Sequence, residues 1–219
     1  MIDNFLGRIS GFWHAVIGRL FYSSPYDVKI KIRSVRRIYV EVDRATQSFR
    51  KKVGLGCPDR CGHCCANSNV ETTVLEMLPL AEELLRRGEA EAWWQETENR
   101  DFPGQCVFYI PDEGEQNQGR CGVYALRPLI CRMFGYTGNK DKYGRIRLVA
   151  CNVMKKLLPH VLEEALHRVD IGKDQPPVMA DVIMRTSMLD PELTKESIAI
   201  NTAFRKAVER MWLSRRYRE

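Results

Sequence analysis

The stretch Cys57-Pro-Asp-Arg-Cys61-Gly-His-Cys64-Cys65 puts four thiols within nine residues. Cys106, Cys121, Cys131 and Cys151 bring the set to eight, all between positions 57 and 151. Thiolates at such short spacing suit a soft or borderline metal, because one tight loop can turn several sulfurs toward one centre. The spacing is CxxxCxxCC. Adjacent cysteines reach one small ion together only with strain, so Cys64 and Cys65 are expected to serve two metals, or one of them to bridge a larger cluster. Eight thiols allow two four-cysteine zinc sites, two iron–sulfur clusters, or one cluster with spare thiols, and spacing alone does not choose among these. Gly62 is expected to provide a positive φ or a close backbone approach inside the loop. His63, between two cysteines, is a further possible ligand.

Other uses of eight cysteines fit less well. A chain of 219 residues buries enough surface to fold without disulfide staples. No export signal is expected, since Asp3 sits in the would-be basic region and Arg8, His14 and Arg19 break the apolar run. Buried free thiols seldom cluster in this way. A reducing, cytoplasmic setting follows as the expectation. CxxxCxxC also holds the cluster of radical SAM enzymes, but helical patterns follow here in place of alternating strand–helix units, and no glycine-rich cofactor signature appears.

Around the cysteines the chain reads as helix. Residues 2–21 carry apolar side chains at a 3.6-residue period (Ile2, Phe5, Leu6, Ile9, Phe12, Trp13, Val16, Ile17, Leu20 and Phe21), an amphipathic helix too interrupted to span a bilayer. Its apolar face is expected to pack on the core, on a second copy or on a protein partner. A second helix is expected over 27–51, with Val28, Ile32, Val35, Ile38, Val42, Ala45 and Phe49 on one stripe. Thr73 and Glu76 form a capping-box pattern for a third, in which Pro79 predicts a kink or a split, and 89–99 predicts a fourth.

Residues 106–110, 120–124 and 145–149 read as short strands, with turns at 111–119 and 138–144. Helix resumes over 153–169, bent or restarted at Pro159, then in a short piece around Val182–Met188. The last helix is expected to start at Asp190-Pro191-Glu192. The fold class is therefore mainly α with a small irregular or β metal-binding core, an α+β arrangement. Its divisions are a helical extension over 1–52, a cysteine-cluster domain over 53–155, and a helical region with a basic tail over 156–219.

The net charge of +6 is unevenly placed. Residues 28–52 hold nine Lys/Arg against Glu41 and Asp43, and residues 203–219 hold six against Glu209 and Glu219, which leaves the middle acidic. Basic flanks of this kind are mostly solvated helix faces; nucleic acid and an anionic membrane surface are the alternative partners.

The order CxxxCxxCC, Cys106, Cys121-Gly-Val-Tyr124-x-x-Arg127-Pro128-Leu-Ile-Cys131-Arg132, Cys151 resembles the YkgJ-like cysteine-cluster family, over about residues 57–155. The resemblance implies a zinc- or iron-chelating domain with all eight cysteines as metal ligands, and either zinc or an iron–sulfur cluster, a 4Fe-4S cluster foremost. Flagellin lysine methylases, in which the domain is linked to an iron–sulfur cluster, are among the members. Physical chemistry adds roles around the ligands. Arg127 and Arg132 flank Cys131 and can balance an anionic metal–thiolate centre, or bind a carboxylate or phosphate substrate. Tyr124 can pack against the site or hydrogen-bond its surroundings. Three functions follow: a metal-binding protein, a metal-dependent group transferase of the lysine-methylase kind, or an interaction module with purely structural metal. An open metal position would favour catalysis and a closed one structure.

Overall fold

The computed structural model describes residues 25–67, 69–99, 105–113 and 118–216. The amphipathic segment expected over 2–21 lies outside them, as does the end of the basic tail. Among the described residues no helix is long and apolar enough to cross a membrane.

The spine is α1 (Pro25–Val53), a helix of 29 residues. Its apolar stripe is buried along its whole length but faces two separate cores. Val28, Ile32, Val35, Ile38, Tyr39 and Val42 enter the first. Phe49 and Val53 enter the second. Between these stretches the stripe turns polar: Thr46 is buried at the place expected of Ala45, which is exposed. Hydrophobic periodicity alone passes over a buried threonine.

The first core is closed by α3 (Val74–Arg87) and α9 (Ile200–Arg216), with α4 (Ala90–Asn99) at its edge. The capping box forms as expected: the Thr73 hydroxyl accepts the Glu76 N–H and donates to the Glu76 carboxylate. Gly88, at φ 77°, ends α3 in the left-handed conformation. Pro79 does not split the helix. Residues 75–81 are all buried, so packing on both sides holds the backbone helical through the one hydrogen bond that proline removes.

The second core gathers β4 (Thr137–Lys140), β5 (Ile146–Val149), α6 (Asn152–Leu157) and α7 (Pro159–Asp170) around Phe49, Leu148, Met154 and Leu162. Helix α7 restarts at Pro159, as the sequence leads one to expect. Residues 137–140 form a strand where a turn was expected, paired antiparallel with β5 from Thr137–Val149 to Lys140–Ile146. Helix α8 (Met179–Ser187) packs Val182 into the first core.

Two further antiparallel pairs lie among the described residues: β2 (Tyr109–Pro111) with β3 (Gly119–Cys121), and β1 (Glu71–Thr72) with β6 (Ile198–Ala199). Residues 106–108 lie outside β2, in a turn closed by the Tyr109 N–H on the Cys106 carbonyl at 2.9 Å. The last helix begins at Ile200 instead of Pro191. The Asp190 carboxylate accepts the N–H groups of Glu192 and Leu193, both at 3.0 Å, and pairs with Lys31 at 2.9 Å. An aspartate that caps a local turn competes with helix at the same sequence signal. Segments from all three expected divisions (1–52, 53–155 and 156–219) contribute to the first core.

One buried polar side chain holds the cysteine-bearing loop 105–109 to α9. The Asn201 side-chain oxygen accepts the Val107 N–H at 2.9 Å, and its amide donates to the Gln105 carbonyl at 3.0 Å. Phe108 then stacks between Trp93 (5.0 Å) and Phe204 (4.9 Å, edge-on). Replacing Asn201 with Ala strands two backbone groups and is expected to cost about 2–4 kcal/mol. Urea unfolding of the variant checks this, and a loss below about 0.5 kcal/mol contradicts the assigned role.

Candidate metal centre

All eight cysteines are free thiols, and all eight line one cavity of about 860 Å³. They reach it from five stretches of chain. The first loop turns over Pro58–Cys61, where the Cys61 N–H bonds the Pro58 carbonyl. Arg60 sits at φ 56° in this turn, a strained conformation for a non-glycine residue. It is held there by hydrogen bonds from its guanidinium to Asp112, one of 2.6 Å, and by the Gly119 N–H on its carbonyl at 2.9 Å. Gly62 is needed for close approach, not for positive φ: it lies at φ −87°, and a Cβ there would come within 2.3 Å of the Tyr109 ring.

The turn delivers the chain to α2 (His63–Ala66), which carries Cys64 and Cys65. The Cys106 N–H bonds the Cys65 carbonyl at 3.2 Å, so the second stretch lies directly against the first. Cys121 ends β3, opposite Tyr109. Cys131 rides on α5 (Leu129–Met133). Cys151 caps α6, its sulfur accepting the Met154 N–H at 3.4 Å.

The thiols fall into two neighbourhoods. Cys65, Cys106 and Cys131 pack against the first core, whereas Cys151 packs against the second. Cys65 donates to Cys64 and to Cys121. Those bonds, aided by the Arg127 guanidinium, pull Cys64 and Cys121 down to about 7 from an ordinary 9.0. The same two bonds, with burial, push Cys65 well up. Burial also raises Cys131, and the charges of Cys106, Cys64 and Cys121 act in the same direction. On the other side Cys57 is pushed up to about 12 by burial and by Cys61, to which it is hydrogen-bonded, with Cys64 and Cys151 adding to it.

Among the described residues no three Cys, His, Asp or Glu side chains stand at the spacing of a single-ion site. The donors nonetheless fit a soft-metal centre: eight thiols share one cavity, two of them are drawn down to about 7, and a guanidinium faces them. His63 is exposed at the rim of the same cavity.

The two arginines do different work. Arg127 faces Cys64, Cys121 and Cys131; it helps to lower the first two and opposes the burial that raises the third. Its position is set by hydrogen bonds to the carbonyls of Tyr124 (2.9 Å) and Cys131 (3.3 Å), and it lies 3.7 Å over the Tyr124 ring. Tyr124 is otherwise 60 % exposed, a lid over Arg127.

Arg132, 4 % exposed, is bound to the scaffold. It donates to the carbonyls of Arg127 (2.7 Å) and Ala125 (2.6 Å), pairs with Asp43, and lies 4.0 Å over Tyr39. Tyr39 in turn donates to the Glu76 carbonyl at 2.5 Å, and the Glu76 carboxylate accepts the Leu129 N–H at the start of α5. Burial raises the Glu76 carboxyl, opposed by these bonds. Sequence pattern left Asp43, Tyr39, Glu76 and Asn201 unremarked as site residues. The capping box at Thr73 marked Glu76 for a local role only, and its second oxygen, 53 residues along the chain, carries no local signature.

Fold and cavity define a helical protein built around a cysteine-lined centre. Residues 56–152 match the CxxCxxCC family model, described as "Putative zinc- or iron-chelating domain", so this segment is similar to that domain. The match takes in all eight cysteines but neither α1 nor α9. Three residues, not the two of the family's name, separate Cys57 from Cys61, and the turn containing Arg60 accommodates the additional one. No curated protein and no solved structure matches the chain.

Replacing Arg132 with Lys keeps the charge but loses the planar fork, and is expected to destabilise the protein by about 2–4 kcal/mol. Chemical denaturation of Arg132→Lys measures this. An Arg127→Lys variant is expected to lose less than half as much stability, since Arg127 hydrogen-bonds two carbonyls of its own segment and stands 4.0 Å from Asp43.

Proposed function

We propose that the protein holds iron–sulfur clusters through its eight thiolates, in two four-cysteine centres. Cys57, Cys61, Cys64 and Cys151 form one; Cys65, Cys106, Cys121 and Cys131 form the other. The observation that carries this is the convergence of all eight thiols on one cavity from five separate stretches. The division follows the two neighbourhoods, and it resolves the strain of adjacent cysteines by turning Cys64 and Cys65 to different centres. A zinc ion draws four sulfurs to about 2.3 Å and leaves no void among them. A cavity as wide as this one suits the larger core of a cluster. Arg127, facing both sets, supplies the positive charge that an anionic cluster needs. Free thiols throughout suit a reducing compartment, and we place the protein in the cytoplasm.

Purification without oxygen, followed by metal and labile-sulfide analysis and an absorption spectrum, tests the reading. Brown protein with iron and sulfide is the expected result. Colourless protein with stoichiometric zinc replaces the cluster by zinc, and metal-free protein overturns the proposal. Cys151→Ser and Cys131→Ser are each expected to lose about half the metal, because each strips one ligand set. Total loss in both variants means that the eight thiols form one shared centre.

A further inference from the structure

The cavity has a wall that the thiols do not use. Where α1 passes from the first core to the second, Asp43, Thr46, Gln47 and Arg50 line it, and Tyr136 completes that side. Thr46 and Tyr136 are each only 5 % exposed, and neither hydroxyl has a hydrogen-bond partner. An unpartnered buried hydroxyl costs about 1–3 kcal/mol, and each of these two oxygens exposes under 1 Å², so a ligand that reaches them through a small shift of either side chain offsets that cost. Arg50 lies 4.7 Å over the Tyr136 ring, and among the described residues no carboxylate pairs with it. Of the acidic side chains that line the cavity, Asp43 is engaged by Arg132, and Asp59 lies on the first cysteine loop. The corner therefore offers a guanidinium edge and two hydroxyls and lacks a matching acceptor. Its chemical complement is a compact group rich in acceptor oxygens and negatively charged.

We propose that Thr46, Arg50 and Tyr136 form a binding site for a small oxyanion, the carboxylate or phosphate of a small molecule, beside the Cys57 and Cys151 thiols. Arg50 meets the charge and the two hydroxyls orient the oxygens. Tyr136 joins this corner to the thiols, since Arg50, Cys57 and Cys151 all act on its phenol. Thr46 and Arg50 lie outside the matched domain, so the site belongs to this chain's own α1. It rests on the cavity wall and not on which metal the thiols hold.

The test uses the full chain, purified without oxygen in buffer free of phosphate and carboxylate, and titrated calorimetrically with inorganic phosphate and separately with acetate. One equivalent of at least one anion is expected to bind with Kd below about 1 mM. The arm that binds tells phosphate from carboxylate. Arg50→Gln, Tyr136→Phe and Thr46→Val are each expected to weaken binding about tenfold, the loss of one strong hydrogen bond. Arg37→Gln, an exposed arginine on the same helix, is expected to leave it unchanged. Metal content and absorption spectrum are read on the same samples. Absence of saturable binding of either anion to the wild-type protein overturns the proposal whatever the variants do. So does unchanged binding in variants whose metal spectrum shifts, because the donors then serve the thiol centre. Metal-free protein that still binds the anion sinks the cluster reading and leaves this site standing.

Discussion

The buried Arg132 guanidinium is the contact on which the thiol cavity depends. It reaches Asp43 and Tyr39 on α1 and the carbonyls of Ala125 and Arg127 in the loop that leads to Cys131. Tyr39 passes the connection to Glu76 on α3, and Glu76 returns it to the first N–H of α5. Helix α1, outside the cysteine segment, and α3, between Cys65 and Cys106, are thus tied to the short helix that presents Cys131. A charge this deeply buried is tolerated only when its donors are satisfied, and here the accepting groups are mostly backbone carbonyls whose positions it fixes in return. The strength of the arrangement lies in its closure: removing one member leaves other buried groups unpaired.

This explains why two neighbouring arginines of one motif take opposite parts. Arg132 points back into the scaffold and Arg127 toward sulfur. Five residues apart and chemically identical, they differ in backbone setting: Arg132 rides on α5, whereas Arg127 lies in the extended chain before it. A sequence motif records that both are present, not the direction of either. The same limit applies to Gly62, where the need for glycine was legible in its place between cysteines, but the cause, a tyrosine ring against its backbone, comes from 47 residues further along the chain.

Local chemistry was the more readable part. The Thr73 cap, the Gly88 stop, the restart at Pro159 and the helix before the cysteines are decided within a few residues, and periodicity and turn chemistry expose them. What escaped depends on partners distant in sequence. Pro79 stays helical because α1 and α9 bury it on both sides. Residues 137–140 become a strand because β5 pairs with them. Asp190 caps a turn that Lys31, far upstream, helps to hold. At the site, the eight cysteines were legible by their spacing, whereas the residues that carry them into place had no pattern to announce them.

Helix α1 deserves its place beside the cysteines in any account of the centre. A cavity lined by thiols needs walls, and between α4 and α6 the chain that carries Cys106, Cys121 and Cys131 has only short strands and helices of one or two turns among the described residues. The spine supplies the missing rigidity by entering one core with Val28 to Val42 and the other with Phe49 and Val53. The span between is suspended over the cavity, so its side chains are under no demand to be apolar. Thr46 and Gln47 occupy that span, and Arg50 follows just beyond Phe49. The break in the hydrophobic stripe, which by periodicity alone looks like a flaw in the helix, is where the helix stops serving the fold and starts serving the site.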